Sequence, residues 1–206
     1  MADAPPMAIL MAKLPVPGQV KTRLTTDGSI TIDQAAEVAA AMLECTASRL
    51  SVMFEHVALA ISPDGAGAEF ARLPGCSGLD TLAQGDGDLG DRLGRLWRAV
   101  PSNAPVAFFG VDSPDVPPEA LAEATAAMAE FDLAIGPTPD GGVWVLGGRR
   151  YLPEVLRDVD WGSERVCEQL RGRCAPSFGP ARARVARMQG AATSSRRRGA
   201  GRSHYP

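Results

Sequence analysis

Six short apolar runs, most of them followed by a segment of helical spacing, constrain this chain more than any other feature. Met7–Ala12 ends in a Pro/Gly loop and reads as a buried first strand. Thr31 and Gln34 have the spacing of a capping box. Ala35, Val38, Ala39, Met42, Leu43 and Leu50 then repeat at helical intervals. The run 55–62, closed by Pro63-Asp64-Gly65, predicts a second strand, and a short helix is expected near 66–73. Residues 79–84 predict a third strand. Asp88 is placed to cap a helix to about Val100, with Leu89, Leu93, Leu96 and Trp97 on one face. Val106–Phe109 is the most apolar strand candidate, and an alanine-rich helix follows at 120–130. Residues 132–135 and 143–146 predict two more strands around a tight Pro/Asp/Gly loop.

Strands and helices that alternate at short range argue for an α/β fold: a mostly parallel sheet with helices on both faces. Ligands of such sheets sit at the carboxyl ends of the strands. The loops after strands are therefore where function is to be sought.

Charge and composition narrow the function classes. Net charge is −3, but residues 169–206 hold nine arginines and no acid, a net +9, against −12 for residues 1–168. A body that acidic is not expected to bind nucleic acid. The four cysteines form no Cys-x-x-Cys and the two histidines, His56 and His204, lie far apart, so zinc and disulfides have no support. A metal here would be a hard ion on oxygen ligands. No apolar stretch approaches the roughly 18 residues of a membrane span. The first run has Asp3 and prolines before it rather than a basic segment, so a cytoplasmic protein is expected. Residues 1–178 read as one domain. Residues 179–206, rich in Arg, Ser, Gly and Ala, read as a disordered or atypical tail.

Three loops carry the polar residues of interest. The first, after the 7–12 run, holds Lys13, Lys21 and Arg23 around Gly18, cations suited to a di- or triphosphate. It lacks the spacing of a P-loop, and a plain solvated basic loop explains it as well. The second, Gly110-Val-Asp112-Ser-Pro-Asp115-Val-Pro117, offers paired carboxylates for Mg²⁺ or Mn²⁺, although Asp115 could instead cap the next helix. The third, Gly136-Pro-Thr-Pro-Asp140-Gly-Gly142, puts Asp140 toward the same edge, or is simply a hairpin turn. Gln84-Gly-Asp-Gly-Asp88 could meet a ribose or base. Equally, Asp88 is a helix cap with Arg92 as its partner four residues on. Trp161-Gly-Ser163 is a further candidate.

The ordered set resembles a family of bacterial GT-A-like transferases. It comprises Met11-Ala-Lys13-Leu-Pro-Val-Pro-Gly18-Gln-Val-Lys21-Thr-Arg23-Leu24, then Gln84-Gly85 through Asp88-Leu-Gly90-Asp-Arg92. Gly110-x-Asp112-x-Pro114-Asp115-x-Pro117, Gly136-Pro137-x-x-Asp140-Gly-Gly142 and Trp161-Gly-Ser163 follow. Some members are named as glycosyltransferases of arsenosugar biosynthesis. The Lys21-x-Arg23-Leu24 element is also similar to the loop of guanylyltransferases that build phospholactate-derived cofactor precursors. The resemblance implies a three-layer α/β/α fold, as in nucleotide-diphospho-sugar transferases, and a metal-dependent transferase with Mg²⁺ or Mn²⁺ as cofactor. A glycosyltransferase acting on a nucleotide sugar and a small-molecule acceptor comes first. A nucleotidyltransferase that takes a nucleoside triphosphate and releases pyrophosphate is the alternative, and a non-catalytic nucleotide-binding member the third. It assigns nucleotide binding to Lys13, Gly18, Lys21, Arg23, Gln84 and Asp88, metal binding to Asp112 and Asp115, and chemistry to Asp112 and Asp140. Two departures stand out. Val143 replaces an aromatic residue after the Asp-Gly-Gly, and residues 169–206 lack the late Asp that can complete a GT-A metal site.

Overall fold

Side chains in the central strands alternate between two apolar layers. Ala8, Leu10 and Ala12 of β1 (Met7–Lys13) face one helical layer while Ile9 faces the other. The computed structural model describes residues 5–101 and 104–178. In β4 (Val106–Gly110), Ala107 and Phe109 join the first layer, Val106 and Phe108 the second. Successive side chains of a strand point to opposite faces, so a run that is apolar throughout must be covered on both. The buried pattern of these strands is the physical cause of the three-layer α/β/α arrangement.

The strands β1, β2 (His56–Ser62), β3 (Asp80–Ala83), β4, β5 (Ala134–Pro137) and β6 (Val143–Gly148) form one sheet in the order β3-β2-β1-β4-β6-β5. The first four are mutually parallel. Strand β6 runs antiparallel to both β4 and β5. Strand β5 therefore points the same way as β4, and the carboxyl ends of β1 to β5 share one edge.

Helices α1 (Ile32–Met53), α2 (Gly67–Phe70) and α4 (Pro118–Glu130) cover one face through Leu43, Ala47, Leu50, Phe70, Leu121 and Met128. Helices α3 (Leu89–Ala99), α5 (Pro153–Leu156) and α6 (Val166–Phe178) cover the other through Leu93, Leu96, Trp97, Val155 and Leu170. The expected capping box opens α1: the Thr31 hydroxyl accepts from Gln34 N–H, and the Gln34 side chain accepts from Thr31 N–H. Asp88 caps α3 by accepting from Asp91 N–H at 2.9 Å.

Two of the alternative local readings do not hold. Asp115 caps nothing, because Pro117 stands at the N-cap of α4 with no side-chain bond. Arg92 does not pair with Asp88; it reaches back to the Gly87 carbonyl at 3.0 Å and to Gln84 Oε1 at 3.1 Å. Helices α5 and α6 had no forecast. The signal for α6 was there in Val166, Cys167, Leu170 and Cys174, all buried and helically spaced. The arginine-rich stretch 179–206, expected to be disordered, lies outside the described residues. None of the described helices is long and apolar enough to cross a membrane.

Candidate functional site

Strand order reverses between β1 and β4: from β1 the chain winds outward to β2 and β3, then returns to the far side of β1 as β4. Loops that leave neighbouring strands at such a point diverge and open a crevice at the carboxyl edge. The two loops that leave here are those of Lys13–Arg23 and Asp112–Asp115.

Lys21 and Asp112, 91 positions apart in sequence, meet across that crevice, with Lys21 Nζ 2.6 Å from Asp112 Oδ1. The β1–β4 register ends at Met11 and Gly110, so both loops leave the sheet from the same level. Lys21 has φ 49°, a left-handed conformation unusual for a residue with a Cβ, and it enters a 3₁₀ turn over Thr22–Thr25. Gly18 has φ 75°, with open space where a side chain would stand. Lys13 Nζ donates to the Gln19 carbonyl at 2.9 Å and so braces the loop from within. Arg23 is exposed on the 3₁₀ turn.

The Asp112 loop is fixed from beneath. Arg49 of α1 donates through Nη1 to the Pro114 carbonyl and through Nη2 to the Val116 carbonyl. Ser113 and Val116 point inward and are buried, while Asp112 and Asp115 are exposed. Among the described residues no three His, Cys, Asp or Glu side chains gather as a metal cage. The donor set is thus one of exposed carboxylates at the crevice. That suits Mg²⁺ or Mn²⁺, which take one or two protein carboxylates and draw their other oxygens from phosphates and water.

Gln84 holds the crevice floor. Its Nε2 donates to the Ala12 carbonyl at 3.1 Å and the Ala60 carbonyl at 2.7 Å, and its Oε1 accepts from Arg92. With 6% exposure, the side chain joins the ends of β1 and β2 rather than facing outward. The loop it starts is clamped by α3 and by the turn after β2. Arg95 donates to the carbonyls of Gln84 and Asp86, and Gly85 N–H donates to Asp64. Asp88 lies at the same edge, with Oδ1 used as the α3 cap.

Asp140 sits in the β5–β6 hairpin, so the hairpin reading and the edge position both hold. Its Oδ1 accepts from Thr138 Oγ1 at 2.6 Å and Gly142 N–H at 3.2 Å. Its Oδ2 takes no bond among the described residues. Gly141 has φ 86°, and a Cβ there would stand 1.8 Å from the Glu164 carbonyl, so the loop packs directly on the segment leading into α6. Trp161, just before that segment, packs against Gly90 at the start of α3; its Nε1 is buried without a partner.

Sequence reasoning missed Arg49, Asp64 and Arg95. Each acts on a loop distant in sequence, and no local motif marks such a contact.

The same architecture occurs in a crystal structure from Desulfovibrio desulfuricans G20, described as a "putative nucleotide-diphospho-sugar transferase". The TM-score is 0.72 at 26% identity, over 82% of this chain and 74% of that one. The chain has the nucleotide-diphospho-sugar transferase fold. Residues 45–163 match a family described as "Uncharacterized protein conserved in bacteria (DUF2064)", and the chain belongs to that family. The matched stretch includes Gln84, Asp88, Asp112, Asp115 and Asp140 and begins after the Lys13–Arg23 loop.

Two further structures are more distant. A homolog of Mycobacterium tuberculosis Rv0371c from Mycobacterium sp. strain JC1 has a TM-score of 0.43 at 18% identity, over 70% of each chain. The bifunctional IspDF of Campylobacter jejuni has a TM-score of 0.49 at 12% identity, over 82% of this chain and 47% of that one. No curated protein matches the chain. None of these three structure descriptions names an arsenosugar enzyme.

Proposed function

We propose that the chain is a metal-dependent glycosyltransferase that takes a nucleotide sugar as donor and a small molecule as acceptor. The observation that carries this reading is the meeting of Lys21 and Asp112 at the strand-order reversal, cation and carboxylate side by side where the fold opens its crevice. A nucleoside diphosphate needs such a pair: cations for its oxygens and a carboxylate for the divalent ion that accompanies it. The name of the Desulfovibrio structure supports the sugar-nucleotide form of the donor.

In this reading Lys13, Lys21 and Arg23 bind the diphosphate, and Gly18 lets the backbone come close to it. Asp112, with Asp115, holds Mg²⁺ or Mn²⁺. A divalent ion there neutralises charge on the departing diphosphate. The loop beginning at Gln84 faces the nucleoside through its backbone and Asp88, while the buried Gln84 amide keeps that loop in place. Asp140 Oδ2 faces the acceptor. An acceptor hydroxyl forms a bond to the anomeric carbon and passes its proton to Asp140. The bond from that carbon to the diphosphate breaks, and a nucleoside diphosphate leaves.

A thermal-shift screen of sugar nucleotides and nucleoside triphosphates with Mg²⁺ and Mn²⁺, followed by product analysis, tests the reading. Stabilisation by a sugar nucleotide and release of a nucleoside diphosphate are expected. Release of pyrophosphate from a nucleoside triphosphate would replace this reading with nucleotidyl transfer. No shift with either class would leave a non-catalytic member of the fold.

A further inference from the structure

In the protein alone, the Lys21 ammonium and the Asp112 carboxylate neutralise each other at 2.6 Å. The pair is lopsided: the Lys21 side chain is 19% exposed and the Asp112 side chain 73%. The carboxylate is therefore open to an ion from solution while its present partner is largely covered. Lys13, the other bonded cation of this loop, meets a backbone carbonyl instead of an acid. Lys21 holds its place with a left-handed backbone at the mouth of the crevice.

We infer that Lys21 and Asp112 make the binding of the divalent metal and of the donor phosphates mutually dependent. This rests on the reading of Asp112 as a metal ligand. A metal ion arriving alone must share the single charge of Asp112 with the ammonium already beside it. A phosphate arriving alone must draw the ammonium away and leave the carboxylate unpaired. When both arrive, the metal takes the charge of Asp112 and the phosphate takes that of Lys21, so neither group is stranded. Such coupling is reciprocal: whatever factor the phosphate adds to metal affinity, the metal adds to phosphate affinity. An ion pair this exposed implies a factor of roughly two to five for each ligand taken singly.

Calorimetric titration of the full chain with Mn²⁺ alone, and with inorganic pyrophosphate alone in metal-free buffer, tests the inference. Lys21→Met should bind Mn²⁺ roughly two- to fivefold more tightly than the parent chain, and pyrophosphate more weakly. Asp112→Asn should lose Mn²⁺ and, by freeing Lys21, bind metal-free pyrophosphate more tightly; Asp115→Asn should do so less. Lys13→Met removes the same charge without breaking the pair and should change Mn²⁺ affinity less than Lys21→Met. Melting curves of each variant, with Lys21→Gln as a second replacement, verify folding. If Asp112→Asn leaves Mn²⁺ binding intact, the metal reading fails and the coupling with it. If Asp112→Asn abolishes Mn²⁺ binding while Lys21→Met affects it no more than Lys13→Met does, the coupling is overturned and the metal reading stands. Absence of Mn²⁺ binding to Lys21→Met also overturns the coupling.

Discussion

Arg49 Nη2 donates to the carbonyl of Val116, 67 positions away, and ties helix α1 to the loop that carries Asp112 and Asp115. Its other terminal nitrogen takes the Pro114 carbonyl. A planar guanidinium can hold two carbonyls at once in fixed directions, which a lysine cannot. Removing it leaves two part-buried carbonyls without their donor. Arg49→Ala should therefore cost about 1.5–3 kcal/mol in urea unfolding and weaken Mn²⁺-dependent nucleotide binding. Arg49→Lys should recover only part of either. Unchanged stability in Arg49→Ala would show that the clamp is not energetically coupled to the fold.

Asp112 and Asp115 should separate in their effects. Asp112→Ala should abolish Mn²⁺-dependent nucleotide binding while the fold stays intact, because its side chain is largely in solvent. Asp115 is exposed and caps no helix. Asp115→Ala should shift the melting temperature by no more than about 1 °C, within the usual surface range. A cap would cost about 1 kcal/mol, several degrees in a domain of this size. A drop of that size would restore the capping role.

The two loop glycines should respond differently to alanine. Gly141 combines a left-handed φ of 86° with the Glu164 carbonyl 1.8 Å from the added carbon. Gly141→Ala should cost about 3 kcal/mol or more, from strain and overlap together. Gly18, at φ 75° with open space around it, carries only the conformational penalty, about 1–2 kcal/mol. Thermal melts of the two variants compare them directly. Equal losses would mean that the hairpin relaxes away from Glu164.

Gln84→Leu should destabilise the chain because the Ala12 and Ala60 carbonyls lose this donor at the crevice floor. About 1–3 kcal/mol is the expected loss for each buried group that finds no water. Nucleotide affinity should fall with stability, since the loops after β1 and β3 both rest on this amide. A variant that loses affinity at full stability would point instead to direct contact with ligand.

Cysteine chemistry reports on both apolar layers, Cys76 in the first and Cys167 and Cys174 in the second. Cys45 is exposed, whereas Cys76, Cys167 and Cys174 are buried. Burial pushes the three inner thiols up, Cys174 to about 11. Alkylation of the native protein at pH 8 should label Cys45 first and the inner three only on unfolding. An unfolded thiol ionises near its ordinary value while the folded Cys174 keeps its proton. Its stabilising contribution is therefore complete below about pH 8.5 and is lost as pH rises toward 11. Mass spectrometry of labelled peptides and melts from pH 8 to 11 check both statements.

Much of the fold was legible in sequence because its signals are local. Strand β1 and β4 announce themselves as unbroken apolar runs, and Thr31 with Gln34 marks the start of α1 within four residues. The alternative readings of Asp115 as a cap and of Arg92 as a partner of Asp88 fail because a contact is not settled by spacing. Local spacing allows Asp115 a cap and Arg92 a partner four residues back, but α4 starts after Pro117, two residues beyond Asp115, and Arg92 turns to the Gln84 side chain and the Gly87 carbonyl instead.

The sequence alone determined the alternating α/β order, the apolar strands buried on both faces, and the loops rich in charge, because periodicity and turn chemistry act over a few residues. Only the tertiary structure decided that Lys21 and Asp112 form one pair. It also decided that Arg49 braces the Asp112 loop and that Gln84 turns inward to the ends of β1 and β2. Those relations span 91, 65 and 72 positions of chain. The first two arise because strand order reverses at β1 and returns β4 to its far side, the third because β3 ends beside β2, which borders β1; both are properties of sheet packing that no stretch of neighbouring residues encodes.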